Sequence, residues 1–130
     1  MKLKYYIVLL TLTSACISGC GGKAGVSGIV SFPDGSPLTQ GFVIFENGSN
    51  QVSGTITETG YYQMGENGNT NGIKPDEYKV RIISESGGGS DGEPFVRYIA
   101  DKYDNVNTSG LVCEVKGNTV FNITVTKPEK

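Results

Sequence analysis

Residues 77–83 have the sequence Glu-Tyr-Lys-Val-Arg-Ile-Ile, in which charged and apolar side chains alternate one by one from Glu77 to Ile82. Successive side chains of a β-strand point to opposite faces, so this alternation is typical of a strand with one buried and one solvated face. Six further segments between Gly, Pro, Asn and Ser turns follow the pattern: residues 26–32, 41–46, 52–58, 61–64, 110–116 and 119–126. Seven short strands predict an all-β domain, a seven-stranded β-sandwich.

The inward faces of these strands supply a hydrophobic core that needs neither a metal nor a disulfide. The inward set comprises Val26, Val30, Phe32, Leu38, Val43, Phe45, Val52, Ile56, Tyr62, Met64, Tyr78, Val80, Ile82, Leu111, Cys113, Val115, Phe121, Ile123 and Val125. Residues 117–118, Gly-Asn, predict a tight turn, after which residues 119–126 would pair back onto residues 110–116 as a hairpin. A short helical turn is expected at residues 100–103.

The first 19 residues have the three-part organisation of a secretory signal peptide. Lys2 and Lys4 precede an apolar run at residues 5–12, and the end of the segment is small and polar. The run is much shorter than the roughly 20 residues that a helix needs to cross a bilayer. We therefore expect a signal helix that is cleaved on export, rather than a permanent membrane span.

Residues 17–20, Ile-Ser-Gly-Cys, resemble a bacterial lipobox, in which a branched apolar residue and two small residues precede a cysteine. The resemblance implies that Cys20 becomes the first mature residue, with diacylglyceryl on its sulfur and a fatty acid such as palmitate on its amine. Several acyl chains, at about 0.8 kcal/mol per buried CH₂, anchor a protein stably. Residues 13–16 also end in a cysteine but begin with Thr, and a Cys16–Cys20 disulfide is the remaining alternative.

These features divide the chain into four predicted segments. They are a signal peptide at residues 1–19, the acylated Cys and a short tether at residues 20–25, the β-sandwich at residues 26–126 and a tail at residues 127–130. The protein would be held in the bacterial cell envelope, on the periplasmic or outer face of a membrane. Gly21 follows the cysteine where an inner-membrane retention signal would have Asp, which leaves the choice of membrane open.

Composition argues against several classes of function. The chain has no His and no Trp, so it lacks the commonest general base and transition-metal ligand and the usual platform for sugar rings. Without Lys2 and Lys4, nine basic side chains stand against thirteen acidic ones, a net charge of −4. Nucleic-acid binding depends on neutralising phosphates and is not expected. We predict that the protein is not an enzyme and has no cofactor.

Several segments are similar to the carboxypeptidase regulatory-like (transthyretin-like) domain, in particular that of small planctomycete-type bacterial lipoproteins. The similar segments are Val-Ser-Gly-x-Val-x-Phe at residues 26–32, Pro-Leu-x-x-Gly-x-Val-x-Phe at residues 37–45, and residues 53–56, 59–62, 72–80, 99–103 and 108–111. The resemblance implies a Greek-key β-sandwich, transthyretin (prealbumin)-like or Ig-like, on an exported lipoprotein, with no established activity. Ala100 and Cys113 depart from the family pattern. The hydroxyisourate hydrolases, enzymes of transthyretin-like fold, depend on histidines that this chain lacks.

The sequence contains candidates for a metal site and for a reactive thiol. Candidate metal ligands are Asp101, Asp104, Asn105 and Asn107. Ca²⁺ takes about six to eight oxygen ligands, but the spacing lacks the order of a known calcium loop, so a solvated polar loop is the alternative and no metal is expected. Cys113 alternates with Leu111 and Val115, which indicates a small buried side chain rather than a reactive thiol.

Two further groups of residues suggest an isopeptide bond and an aromatic binding patch. Lys23 or Lys79 would need to be buried with Asn122 to form an isopeptide bond, whereas the alternation places Lys79 and Asn122 on the outside. Candidates for an exposed aromatic patch that binds sugar or peptide are Tyr61, Tyr98 and Tyr103. Tyr103 would serve equally well to fasten the irregular segment around it to the sandwich.

The sequence therefore predicts a lipid-anchored, non-catalytic β-sandwich module that binds an envelope protein or a glycan through its loops, or has a structural role. Its membrane contact would be the lipid on Cys20. The alternative is a carrier of a small ligand or Ca²⁺ that uses residues 101–107.

Overall fold

The computed structural model describes residues 22–65, 72–87 and 92–129 of the 130-residue chain. The predicted signal peptide and Cys20 lie outside the described residues, as do residues 66–71 and 88–91 of two predicted loops. Within the described ranges, no helix is both long enough and apolar enough to cross a membrane.

The described ranges contain ten β-strands and a short 3-10 helix, which confirms the all-β prediction. The strands are β1 (Val26–Ser31), β2 (Phe42–Asn47), β3 (Asn50–Thr55), β4 (Tyr61–Gln63), β5 (Asp76–Ile83), β6 (Glu85–Ser86), β7 (Val96–Arg97), β8 (Leu111–Val115), β9 (Thr119–Val120) and β10 (Ile123–Thr124). The 3-10 helix spans Asp101–Asp104 and confirms the helical turn expected there.

Most of the strands belong to two sheets. In the first sheet, β1 is central, with β4 antiparallel on one side and with β9 and then β10 parallel on the other. In the second sheet, the order is β3-β2-β5-β8 and every pair is antiparallel. β6 and β7 form a separate two-stranded ribbon. Both sheets contribute side chains to one hydrophobic cluster, so they share a core.

The predicted final hairpin is wrong. β9 and β10 pair in parallel with β1 in the first sheet, with Val30 opposite Ile123, instead of pairing back onto β8. The prediction failed because alternation fixes only which side chains face inward, and Ile123 faces the core in either arrangement. Residues 117–118 carry the chain from the second sheet to the first, where Asn118 Oδ1 accepts a hydrogen bond from Gly25 N–H at 2.9 Å.

Side chains interrupt the backbone ladder between β9 and β10. The carbonyl of Phe121 accepts a hydrogen bond from the hydroxyl of Tyr62, and Asn122 Oδ1 accepts one from Ile29 N–H at 3.0 Å. A regular parallel ladder would join the Ile29 N–H to the Phe121 carbonyl directly. Gly28 lies alongside, where a Cβ atom would overlap that carbonyl.

The predicted core is confirmed for most of its members. All are buried except Phe32, Val52, Leu111 and Phe121, which are partly buried against the cluster. The structure adds four residues to the core from turns and irregular segments, where alternation gave no signal: Ala24, Ile73, Ile99 and Tyr103. The irregular segments therefore complete the hydrophobic cluster.

The segment from residue 99 to residue 109 connects the two sheets along one side of the core. Ala100 N–H donates a hydrogen bond to the carbonyl of Thr126, just after β10, at 2.9 Å. The buried hydroxyl of Ser109 donates to the carbonyl of Val80 in β5 at 2.5 Å. These two bonds fix the segment at both ends, and the 3-10 helix lies between them.

Candidate functional site

The two ends of the domain lie at different distances from the predicted tether. Ala24 N–H donates a hydrogen bond to the carbonyl of Ile73 at 2.8 Å, so the chain enters the domain at the start of β1. β1 has six residues, which span about 20 Å at roughly 3.3 Å per residue, and β10 runs parallel to it. The segments after β1 and β10 therefore lie together at the opposite end, which we call the far end.

A groove of about 320 Å³ opens at the far end. Its lining includes Phe32, Pro37, Gln40, Tyr98, Lys127 and Pro128. Three separate parts of the chain meet in it: the loop after β1, the end of β7 and the segment after β10. Concave surfaces with apolar walls and a few polar groups are where ligands usually bind, so this groove is the candidate functional site.

Asp34 shapes the turn next to Phe32. Asp34 Oδ1 accepts hydrogen bonds from the N–H of Ser36 at 2.9 Å and from its hydroxyl at 2.6 Å. These bonds, chiefly that from the hydroxyl and then that from the N–H, stabilise the ionised carboxylate and hold the pKa of Asp34 below its usual value. Lys127 Nζ lies 5.7 Å from the centroid of the Phe32 ring, a cation–π distance. This contact joins the segment after β10 to the loop after β1.

The β6–β7 ribbon presents exposed apolar side chains beside the groove. Phe95, Val96 and Tyr98 are 53%, 40% and 36% exposed. The Tyr98 hydroxyl lies 2.9 Å from the Ser86 hydroxyl, and hydrogen bonds to Ser86 and then Gln40 lower the pKa of Tyr98. Tyr98 is therefore held in one orientation, and a fixed aromatic ring loses little conformational entropy when a ligand binds.

Three of the four candidate metal ligands, Asp101, Asp104 and Asn105, have side-chain oxygens engaged with protein groups. Arg97 Nη1 lies 3.1 Å from Asp101 Oδ1 and 2.8 Å from Asp104 Oδ2, and these contacts, chiefly that with Asp104, raise the pKa of Arg97. Asn105 Oδ1 accepts the N–H of Asn107 at 2.8 Å, which is an Asx turn. In the part of the chain that the structure describes, no group of three His, Cys, Asp or Glu side chains could hold a metal ion.

Among the remaining candidates for covalent chemistry, the thiol is buried and the lysines and asparagine of the candidate isopeptide bond are exposed. Cys113 is 3% exposed, as predicted, and burial raises the pKa of its thiol. Because the thiolate is the reactive form, this environment opposes reactivity. Lys79 and Asn122 are exposed, on the second and the first sheet respectively. Cys20 lies outside the described residues, and its acylation stays a prediction.

The three candidate tyrosines do not form one patch. Tyr103 is 5% exposed, and its hydroxyl lies 3.4 Å from Thr126 Oγ1, so it fastens the 3-10 helix to the segment after β10. Tyr61 is on the outer face of β4, and Tyr98 lines the groove. The structure therefore supports the interpretation in which Tyr103 fastens the irregular segment to the sandwich, and not the one in which it belongs to an exposed patch.

Neither the models of protein families nor the curated proteins give a match to this chain. The candidate site therefore depends on geometry alone. The sequence does not reveal the groove, because its alternation places Phe32 in the core and Lys127 falls in the predicted tail. The apolar residues between Phe95 and Ile99, which are interrupted by Arg97 and follow no strand period, are the one signal that the sequence offers.

Proposed function

We propose that this protein is a lipid-anchored, non-catalytic module of the bacterial cell envelope that binds an envelope protein or glycan at its far end. In this proposal, the lipid on Cys20 holds the start of β1 close to a membrane. The observation that supports it is the position of the groove. It opens at the end of the domain opposite to the tether, where a partner has access.

The chemistry of the far end is that of a binding surface. Exposed aromatic side chains are enriched at the positions that dominate binding energy, and Phe95 and Tyr98 provide two of them within four residues. Lys127 and Gln40 add the few polar groups that orient a ligand in an otherwise apolar groove. The absence of His from the chain agrees with a role that involves no acid–base catalysis.

We also propose that the domain is a transthyretin-like Greek-key sandwich of seven strands. The strand count supports this if β9 and β10 are taken as one interrupted strand and the β6–β7 ribbon is left out. β3 forms a hairpin with β2, and β5 returns to the other side of β2 after the chain has passed through the first sheet. This return is the connection that defines a Greek key.

Capture from a detergent-solubilised envelope tests the binding proposal. The full chain carrying Phe95→Ser and Tyr98→Ala is compared with the wild type, and Val112→Ser is the matched control because Val112 is 53% exposed on β8 of the second sheet. We expect one partner to be retained by the wild type and by Val112→Ser and lost by the double variant. A partner retained equally by all three proteins would exclude the far end as the binding site.

Metabolic labelling with palmitate tests the anchor separately. We expect the label to be incorporated into the wild type and into Cys16→Ser, and to be absent from Cys20→Ser. Labelling that depends on Cys16 instead would assign the anchor to the other cysteine of the signal segment.

A further inference from the structure

The outer face of the first sheet has no charged residue. β1, β4, β9 and β10, together with the two residues between β9 and β10, consist entirely of uncharged residues. The outer face of the second sheet is different, since it carries Glu46, Glu77, Lys79, Arg81 and Glu114. Solvent-exposed sheet faces normally carry charges, whereas the centres of binding surfaces are depleted of them.

Apolar side chains cross this uncharged face. Ile29 lies directly opposite Tyr61, and Val120 lies on the other side of β1, opposite Ser27. The exposed fractions of Ile29, Tyr61 and Val120 are 47%, 41% and 73%. The three side chains therefore lie on the same face of three adjacent strands.

Polar groups that donate and accept hydrogen bonds surround the apolar side chains. Asn122 Oδ1 accepts the Ile29 N–H. The NH₂ group of the same side chain points away from that bond and has two hydrogens to donate. Ser31 and Thr124, paired across β1 and β10, add hydroxyls that both donate and accept. The face thus combines one aromatic ring, aliphatic groups, hydroxyls and the amides of Asn122 and Gln63, which lies opposite Ser27, without any ion.

The size of the face decides between a protein partner and a smaller ligand. Three strands about 5 Å apart and about 20 Å long give a surface of roughly 200–300 Å². A stable dimer buries about 800 Å² on each partner, so a second copy of this chain would gain too little area here. An extended chain of a few sugar rings matches the length and width of the face.

We propose that this face binds a neutral glycan. The apolar C–H face of a sugar ring packs against Tyr61, beside Ile29 and Val120. The sugar hydroxyls exchange hydrogen bonds with the hydroxyl and amide side chains around that ring. Because no charged group lies on the face, it offers no counter-charge to a uronic acid or a sulfated sugar. This site is separate from the far-end groove and does not depend on the function proposed for it.

A titration followed by ¹H–¹⁵N NMR of the full chain in detergent micelles tests the proposal. The neutral probes are cellohexaose and mannohexaose, and the acidic probe is an oligogalacturonate. We expect at least one neutral probe, at millimolar concentration, to shift the amide signals of Ile29, Tyr61, Val120 and Asn122, and the acidic probe to shift them less. Tyr61→Ala should weaken the response at least several-fold.

Two variants separate binding from folding. Phe42→Ala removes an aromatic ring of similar exposure, 48%, from the outer face of the second sheet, and should bind like the wild type. Val120→Lys places a charge on the proposed face at a position that is too exposed to affect folding, and should weaken binding. The proposal is overturned if neither neutral probe shifts these signals, if the shifts are confined to the far-end groove, or if the acidic probe binds more strongly.

Discussion

Asn122 Oδ1 accepts the backbone N–H of Ile29 at 3.0 Å, so a side chain completes a hydrogen bond that a backbone carbonyl makes in a regular parallel ladder. The carbonyl of Phe121, which would otherwise make it, is bonded to the hydroxyl of Tyr62. Asn118 Oδ1 likewise accepts the backbone N–H of Gly25, the residue just before β1. The last strand therefore depends on two asparagine side chains, as well as on its backbone, to stay beside β1.

Asn122→Ala should destabilise the domain because it leaves the Ile29 N–H without its acceptor. We expect the free energy of unfolding, measured by urea denaturation, to fall by about 1 kcal/mol, the typical net contribution of one hydrogen bond. Asn122→Asp keeps an acceptor oxygen in the same place and should lose less. Equal losses in the two variants would show that the side-chain oxygen does not hold the strand.

Tyr62→Phe should have a larger effect because it removes the donor to a partly buried carbonyl. A carbonyl left unpaired retains the cost of its desolvation, so we expect the free energy of unfolding to fall by about 1–3 kcal/mol. Tyr98→Phe, which removes a more exposed hydroxyl, is the matched control and should lose less. If the two variants unfold at the same urea concentration, the bond from the Tyr62 hydroxyl to the Phe121 carbonyl does not stabilise the domain as proposed.

The same tyrosine should make the domain less stable at high pH. Burial, and secondarily the neighbouring Cys113, raise the pKa of Tyr62 above its usual value. From a pH of about 10 upward, the unfolded chain loses the tyrosine proton that the folded chain keeps. The stabilisation is therefore complete below that pH and decreases as the pH rises above it. Urea denaturation at a series of alkaline pH values should show a smaller decrease for Tyr62→Phe, and identical pH profiles would contradict this assignment.

The thiol of Cys113 should be protected in the folded protein, because it is buried and its pKa is raised. We expect dithionitrobenzoate to label the acylated protein only as fast as the domain unfolds, and to label it completely in urea. Val112→Cys adds an exposed thiol on the neighbouring position of β8 and should react at once. Immediate labelling of the wild type would mean that β8 does not cover Cys113.

Calcium should not stabilise the domain, because Arg97 is bonded to both Asp101 and Asp104. We expect no change in Tm on addition of millimolar CaCl₂, measured by scanning calorimetry. Arg97→Gln leaves both carboxylates without their cation. Its Tm with and without CaCl₂ therefore tests whether Arg97 is what keeps calcium from binding. A calcium-dependent rise in the Tm of the wild type that Asp104→Asn abolishes would support the carrier alternative instead.

Alternation predicts the strands and the core well because both depend on local sequence. Tyr78, Val80 and Ile82 are buried, as residues 77–83 indicate. Pairing is different, since the partner of the last strand is decided by contacts with residues more than fifty positions away. The bond between Tyr62 and Phe121 is one of these contacts, and no local pattern reveals it.

The candidate site was harder to predict for the same reason. The sequence indicates Asp101 and Asp104 as metal ligands because carboxylates bind cations, but the cation that they bind is the nearby Arg97. The charge pattern of residues 97–104 could have suggested this pairing. The groove, by contrast, brings together Phe32, Tyr98 and Lys127 from three distant segments, and only the folded arrangement of the sheets places them side by side.

Photocrosslinking in living cells tests the central claim most directly, namely that the far end is presented to a partner while the opposite end is held at a membrane. A benzophenone amino acid replaces Thr39, which lines the groove, or Ser49, in the turn between β2 and β3 at the tether end. The account predicts an adduct from position 39, lost in Cys20→Ser, and none from position 49. An adduct from position 49 alone, or equal adducts from both positions, would contradict it.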